Sequence, residues 1–433
     1  MIYSVIVCII FFAALLLWLV RFAKEAGFSL PNNKLFSFAL EDKTYKPLGE
    51  KTTGMECLKI FLLALGFRIA VFLLAWMAYG IFSDGDVQSI PEFFSRWNIW
   101  DAPHYLEIAE NGYANHIEDG QYLMLVFFPL FPMLVKILHA IIPNYILSGM
   151  IVSTICYSVG CVLMYKLVTM DYSKSIAKKS VVFLSVYPFA FYYGGIMTES
   201  TFFMLTIATF LAIRKHNWLV VGILGALTAL TRSFGVLMII PAAVEWVQHE
   251  CPIGLIREKN WKKLGKDFLG VLPILIIPVG TLIYLYINYS VTGDPFIFSQ
   301  YQSEHWHMNL QFFGKTLNML WSRTMSFNDR WSSITCLFMP ELLALPVFAA
   351  VILYSIRRTR SVYVVFMLIY FAFNAAASWP LSLSRYLSCM FPVFWVLATF
   401  TDKYKETELP ITAIMAIGFG IYLTGYITLH QIM

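Results

Sequence analysis

Charge is what this chain has least of. Of its 433 residues only 13% are Asp, Glu, Lys or Arg, whereas 59% are hydrophobic. A chain of this composition cannot bury all its apolar surface inside one water-soluble core, so lipid must cover much of it. The composition excludes an ordinary soluble globular protein and predicts an integral membrane protein.

The chain also lacks the motifs of several chemical classes. Its seven cysteines form no Cys-x-x-Cys pair and no Cys/His zinc spacing, so we interpret them as small apolar side chains. No Gly-rich phosphate loop is present, which argues against a nucleotide-sugar site. No basic residue precedes the first apolar run, residues 2–20, whereas Arg21 and Lys24 follow it. That order predicts an uncleaved anchor helix whose C-terminal end is cytoplasmic.

What the chain has instead is a series of apolar runs. We interpret them as transmembrane helices, the shorter ones kinked or broken and packed among the others. The sequence therefore predicts an all-α multi-pass membrane protein, a single domain over residues 1–433, with about twelve transmembrane helices. The predicted spans are residues 2–20, 58–82, 147–169, 181–196, 199–213, 218–231, 234–250, 268–290, 333–356, 362–378, 386–401 and 410–430.

The basic residues divide the connecting loops between two sides. Six connections carry 21 of the 31 Lys and Arg residues, so the positive-inside rule places them in the cytoplasm. These are residues 21–57, 170–180, 214–217, 251–267, 357–361 and 402–409. Two large loops, 83–146 and 291–332, then lie on the outer side. Residues 83–121 hold one basic residue against eight acids, which agrees with this assignment.

Residues 122–142 allow two interpretations, because they are apolar enough to span the membrane. They also contain Pro129, Pro132, Lys136 and His139. We expect a segment that lies at the outer surface or dips into it. A true span is the alternative, and it would move the following basic loop to the outer side.

The first outer loop contains the stretch best suited to chemistry, residues 96–113, RWNIWDAPHYLEIAENGY. Partial shielding by Trp100 would raise the basicity of Asp101, and His104 could orient it, which suits proton abstraction. Trp100 is predicted to contact a substrate, because aromatic rings stack on sugars, and Arg96 of the same stretch is also predicted to contact it. An acidic aqueous loop with interfacial aromatics is the alternative interpretation.

Three more charged residues fall at outer helix ends. Glu199 lies in MTES, Arg232 in LTALTRSFGVL, and Arg385 beside Tyr386 in LSRYLSCMFP. Charged residues at membrane depth are costly unless they face a polar site, and arginine binds phosphate well. We predict that these four residues bind a donor phosphate or sugar. A solvated Glu199 and arginines that reach the interface or pair with acids are the alternatives.

His305 and His307, in EHWH of the second outer loop, are predicted to contact the substrate. Their i, i+2 spacing lacks a third ligand, so we assign no metal site. The sequence identifies no cofactor and leaves a dependence on a divalent metal open.

Taken in order, these motifs resemble the PIG-V family, the GPI mannosyltransferase II type of GT-C glycosyltransferases, and its bacterial relatives. The matching pieces are RWNIWDAPHYLEIAENGY, FFPLFP, MTES, LTALTRSFGVL and LSRYLSCMFP, between residues 96 and 392. The resemblance implies a multi-pass GT-C-type enzyme that takes mannose from a polyprenyl- or dolichyl-phosphate. It implies that Asp101 is the family's acidic residue in the first outer loop. Met197 and Phe234 depart from the residues usual at their positions.

These observations predict an inverting transfer of a hexose, with mannose favoured, to a hydroxyl of a lipid or glycan acceptor on the outer face. Asp101 would take the proton, aided by His104, and Arg232 and Arg385 would stabilise the departing lipid phosphate. Glu199 would bind sugar hydroxyls or hold an arginine.

The alternatives are a transporter or flippase of lipid-linked saccharides, and a non-catalytic subunit. A transporter would need polar residues on both sides of the midplane, whereas the polar residues inside the predicted spans cluster toward the outer face. We expect no nucleic-acid partner. The short loops favour a bacterial plasma membrane, with the endoplasmic reticulum as the alternative.

Overall fold

Helices make up the structure, as the sequence predicts. The computed structural model describes residues 2–29, 50–83, 89–380 and 382–432, and within these ranges extended pairing is limited to two isolated bridges. The helices are α1 (Ile2–Glu25), α2 (Gly54–Phe82), α3 (Ile90–Ser95), α4 (Ala102–Asn111), α5 (Leu130–His139), α6 (Tyr145–Thr169), α7 (Lys174–Val186), α8 (Glu199–Arg214), α9 (Trp218–Ala229), α10 (Ile239–Glu250), α11 (Pro252–Arg257), α12 (Trp261–Thr292), α13 (Ile297–His305), α14 (Phe313–Ser326), α15 (Trp331–Ser355), α16 (Ser361–Ala375), α17 (Leu383–Leu387), α18 (Pro392–Lys403) and α19 (Glu408–Ile427).

Six helices in the described part of the chain are long and apolar enough to cross a membrane: α1, α2, α6, α12, α15 and α19. Four of them, α1, α2, α12 and α19, leave most of their apolar surface outside the protein core, as expected of helices that face lipid. The other six predicted spans are shorter or broken helices. Most residues of α8 and α16 are buried, so these two helices lie at the centre of the bundle. A total of about twelve crossings remains a prediction.

Two of the shorter predicted spans are interrupted helices, as the sequence predicts for runs of this length. The span 181–196 ends as an α-helix at Val186, and a separate 3₁₀ turn runs from Ala190 to Gly194. Pro188 disfavours a helical conformation at the preceding residue, and Tyr187 is extended, with ψ 137°. The span 386–401 divides in the same way into α17 and α18, and Pro392 is the first residue of α18.

The broken segment after α7 is held by a buried arginine in the middle of α2. Arg68 is fully buried and donates from Nη1 to the carbonyl oxygen of Ala190 at 2.6 Å. Its guanidinium also lies 4.3 Å from the centre of the Tyr157 ring. Non-helical backbone at membrane depth needs such partners, because lipid supplies none.

Residues 122–142 form a 3₁₀ turn, Leu123–Val126, and the 10-residue helix α5. A helix of this length rises about 15 Å, which is half of the hydrocarbon thickness. This length agrees with a segment at the outer surface, although its position relative to the bilayer remains a prediction.

The loops predicted to be cytoplasmic contact one another at one end of the bundle. Lys174 lies 2.7 Å from Glu56 of α2, and Lys179 lies 2.7 Å from Glu408 of α19. Arg257 donates to the carbonyl oxygen of Gly27 at 3.1 Å. The grouping of loops by charge therefore matches their contacts, and the compartment that this end faces stays a prediction.

One expectation about this end is wrong, because polar residues do not cluster only toward the outer face. Asp171 and Glu245 are 2% and 1% exposed, and Glu245 lies within a predicted span. Arg214 pairs with both carboxylates, and Arg360 lies 3.0 Å from Glu245. The single sequence could not show that charges from four chain segments meet here. They form a buried ionic cluster that joins α8 and α10 to the segment between α6 and α7 and to the residue before α16.

We expect Arg214→Ala to lower the free energy of unfolding by about 3 kcal/mol, because it leaves two buried carboxylates short of a cation. Lys179→Ala is the matched control: Lys179 also faces two carboxylates, Asp402 and Glu408, but these are 45% and 40% exposed. It should cost about 0–1 kcal/mol. Thermal unfolding of both variants in detergent measures the difference, and equal losses would contradict the structural role given to this cluster.

Candidate active site

Arg385 lies at the centre of the residues that the sequence singled out. Its Nε donates to Glu199 Oε1 at 2.6 Å, and its Nη1 donates to Asp101 Oδ2 at 3.1 Å. Its Nη2 donates to the sulfur of Met197 at 3.2 Å. One arginine thus joins the residue before α4, the start of α8 and the short helix α17.

Arg232 completes this group from a fourth chain segment. Its Nη2 donates to Glu199 Oε1 at 3.0 Å, so a single carboxylate oxygen accepts from two arginines. The Tyr386 ring centre lies 4.3 Å from the guanidinium carbon of Arg232 and 5.4 Å from that of Arg385. Such cation–π contacts add to the stabilisation of closely spaced guanidinium groups.

The backbone places Arg232 at a break between two helices, as predicted. Helix α9 ends at Ala229, Arg232 is extended, and a 3₁₀ turn runs from Ser233 to Met238. Gly235 packs so tightly on the end of α9 that an added Cβ would lie 2.3 Å from the backbone of Thr228. Only glycine permits this approach, which explains its place in the TRSFG motif.

Burial separates the charged residues of the site into two kinds. The side chains of Glu199 and Arg385 are 0% and 1% exposed, whereas that of Asp101 is 28% exposed. Glu199 is the first residue of α8, where the helix dipole favours a negative charge. Asp101 is therefore the carboxylate of this group that a substrate can reach, and Glu199 balances the buried arginines.

Backbone strain lies directly beside Asp101. Trp100 has φ 58°, in the left-handed region that costs a non-glycine residue about 1–3 kcal/mol. Trp97 is fully buried and contacts the rings of Phe72 and Tyr426, which anchors the loop to α2 and α19. Trp100 thus lies between the buried Trp97 and helix α4. Its backbone conformation helps to set the orientation of the Asp101 side chain.

His104 lies one turn beyond Asp101 but forms no hydrogen bond with it in the described part of the chain. Its ring stacks on Phe127 at 4.9 Å and lies 6.5 Å from the Trp306 ring. Burial lowers the pKa of His104 and so favours the neutral imidazole, although nearby Asp101 and Glu118 oppose the shift. A role in orienting Asp101 stays a prediction, whereas the aromatic contacts explain the first phenylalanine of FFPLFP.

Three residues that the sequence predicted near the substrate contact other parts of the protein. Arg96 donates to the Tyr79 hydroxyl at 2.9 Å and lines a groove of about 750 Å³ between the ends of α2, α15 and α19. His305 is exposed and hydrogen-bonds Gln121 of the segment after α4. His307 is also exposed, and its carbonyl oxygen accepts from Ser378. Their predicted substrate contacts remain predictions.

Sequence reasoning missed two residues that contact the central arginine. The Tyr192 ring centre lies 4.6 Å from the guanidinium carbon of Arg385. Met197, which stands where an aromatic residue was expected, is fully buried and contacts the same guanidinium through sulfur. The aromatic run before MTES was the available signal for Tyr192, but its position depends on the break after α7.

Metal coordination finds no support in the described ranges. Within them, no group of three or more His, Cys, Asp and Glu side chains is arranged to hold a metal ion.

Residues 128–284 match the family model of dolichyl-phosphate-mannose-protein mannosyltransferases. This part of the chain is similar to a membrane mannosyltransferase. The match includes Glu199 and Arg232 and leaves Asp101 and Arg385 outside. A search of curated proteins found no match to the chain. The similarity supports a GT-C glycosyltransferase at the level of the superfamily, and the finer resemblance to PIG-V stays a proposal.

We expect Glu199→Gln to lower the free energy of unfolding by about 3 kcal/mol, because two buried arginines lose a carboxylate that both contact. Asp101→Asn should cost less than about 1 kcal/mol, because Asp101 is partly exposed and Arg385 keeps its contact with Glu199. Thermal unfolding in detergent compares these two carboxylate-to-amide changes. A larger loss for Asp101→Asn would refute the division into a buried counter-charge and a reachable carboxylate.

Proposed function

We propose that this protein is a glycosyltransferase that moves a hexose, with mannose favoured, from a polyprenyl-phosphate donor to a hydroxyl of a lipid or glycan acceptor. The observation that carries the proposal is the contact of the partly exposed Asp101 with Arg385, which also binds the buried Glu199. The partial match to lipid-phosphate-mannose-dependent transferases supports the donor class. We propose that the site faces the outer side of the membrane.

Asp101 is suited to accept the proton of the acceptor hydroxyl. Arg385 engages its Oδ2, and in the described part of the chain Oδ1 has no partner. As the proton moves to Asp101, the acceptor oxygen forms a bond to the anomeric carbon from the face opposite the phosphate. The bond from that carbon to the phosphate oxygen breaks, and its electron pair leaves with the lipid phosphate. The configuration at the anomeric carbon is inverted, and the exposed edge of Asp101 returns the proton to solvent.

Arg232 is the better placed of the two arginines to contact the leaving phosphate. Its buried Nη1 has no protein partner in the described ranges, whereas all three nitrogens of Arg385 donate to protein atoms. Donors fixed before the reaction stabilise charge that develops in the transition state. We propose that Arg232 contacts the phosphate and that Arg385 orients Asp101 while adding positive potential.

A transporter or flippase of lipid-linked saccharides is the second candidate. The observation that favours it is the buried ionic cluster of Asp171, Arg214 and Glu245 at the opposite end of the bundle. Those charges are paired with one another, and they explain neither the strain at Trp100 nor the exposure of Asp101. The transferase accounts for both features.

We expect Asp101→Asn to reduce sugar transfer by roughly 10²–10⁴-fold, because it removes the proposed general base. Asp119→Asn is the matched control, an exposed acid of the same loop with φ 48°, a conformation that asparagine tolerates. The assay uses purified protein in detergent, radiolabelled polyprenyl-phosphate mannose and a membrane lipid extract as the source of acceptors.

Wild-type turnover by Asp101→Asn would remove Asp101 from the mechanism. No transfer by wild type from mannose, glucose or galactose donors would favour the transporter, and flipping would then be measured in proteoliposomes.

A further inference from the structure

The helix that carries Arg385 cannot hold its own position. Helix α17 has only five residues, and a helix of this length is not stable by itself in the absence of other contacts. The residue before it, Ser382, has φ 66°, which is strained for a residue with a side chain. The place of Arg385 therefore depends on contacts from neighbouring helices.

Glu341 of α15 binds the first turn of α17. Its Oε2 accepts from the backbone N–H of Ser384 at 2.5 Å and from the Ser384 hydroxyl at 2.7 Å. Ser384 directly precedes Arg385 in the chain. A side chain in another helix thus fixes the residue next to the central arginine.

Burying the carboxyl group of Glu341 carries a free-energy cost. Glu341 is 3% exposed and is the single charged residue of α15. It has no cationic partner in the described part of the chain, and its hydrogen bonds go to the start of α17. A carboxyl group at this depth is unfavourable unless polar groups satisfy it, so its two bonds to Ser384 explain its presence.

Two tyrosines complete the attachment of α17 from other sides. The Tyr187 hydroxyl donates to the carbonyl oxygen of Ser384 at 2.9 Å, and the Tyr370 hydroxyl donates to that of Tyr386 at 3.1 Å. Both bind carbonyl groups, whereas Glu341 binds an N–H group at the start of the helix. Because these three contacts come from α15, α16 and the residue that follows α7, they leave α17 little freedom to rotate.

We infer that Glu341 is a positioning residue for the transfer reaction. It holds α17 so that the Arg385 guanidinium reaches both Asp101 and Glu199. The inference rests on the proposed function for its effect on catalysis, and its effect on the position of Arg385 stands apart from that function. Among the described residues, the hydrogen bonds of Glu341 go to Ser384, so it reaches the proposed substrate contacts through α17.

The kinetic test compares two substitutions at this position. Glu341→Gln keeps a carbonyl oxygen that accepts from Ser384, so kcat should stay within about threefold of wild type. Glu341→Ala removes the acceptor and should lower kcat by about 10–100-fold through misplacement of Arg385. The donor KM should change by less than about threefold, because Arg232 contacts the phosphate from a different segment. The inference would be overturned if Glu341→Ala changed only the donor KM and left kcat unchanged. It would also be overturned if Glu341→Gln lowered kcat as much as Glu341→Ala does.

The structural test does not depend on activity. A cryo-EM structure of Glu341→Ala should show Arg385 Nε beyond hydrogen-bond reach of Glu199, and an unchanged contact would refute the role. If that variant does not fold, Ser384→Ala removes one of the two bonds and should move α17 in the same direction. A displaced Arg385 in a protein that transfers no sugar would reject the proposed function and keep the positioning role.

Discussion

The bridge that Arg385 makes between Asp101 and Glu199 is the interaction on which the proposed site depends. A guanidinium that is 1% exposed and a carboxylate that is 0% exposed are tolerable at membrane depth only as partners. Arg232 and Asp101 bring the group to two positive and two negative charges. The pairing fixes the geometry, and the partial exposure of Asp101 leaves one carboxylate that a substrate can reach. Charge balance and chemical access are thus divided between different residues.

Broken helices make this arrangement possible. The residues of the site come from the strained loop at Trp100, the start of α8, the turn after α9 and the five-residue helix α17. Continuous helices would use their backbone groups internally and would direct these side chains to different depths. Each break instead exposes backbone groups that neighbouring side chains satisfy, as Arg68 does for Ala190 and Glu341 does for Ser384. Arg68 and Glu341 thus support irregular backbone where lipid could not supply hydrogen bonds.

The two ends of the bundle use buried charge differently. At the end with the predicted cytoplasmic loops, Arg214 pairs with Asp171 and Glu245, and Arg360 also pairs with Glu245. At the other end, Asp101 and the Nη1 of Arg232 retain capacity to bind a further group. Asp101 is partly exposed, whereas Asp171 and Glu245 are buried, and the proposed transfer reaction uses this difference. The partial match to mannosyltransferases covers residues 128–284 and leaves Asp101 and Arg385 outside.

The sequence by itself determined that this is a helical membrane protein, because that follows from local composition. It also determined how the loops are grouped, because that follows from the positions of lysine and arginine. It also identified Asp101, Glu199, Arg232 and Arg385, because charged residues at the ends of apolar runs are conspicuous.

Only the tertiary structure decided which of these residues meet and which neighbours hold them. Arg96 lies in the same motif as Asp101 but contacts Tyr79, whereas Met197 and Tyr192 contact Arg385 from the other side of a helix break. Glu341 stands alone in an apolar run, and nothing in its local pattern shows that it binds the residue before Arg385. The physical reason is that such contacts join residues far apart in the chain across breaks whose geometry depends on packing. The periodicity of hydrophobic residues predicts a regular helix. It does not show in which direction the chain continues after a helix is interrupted.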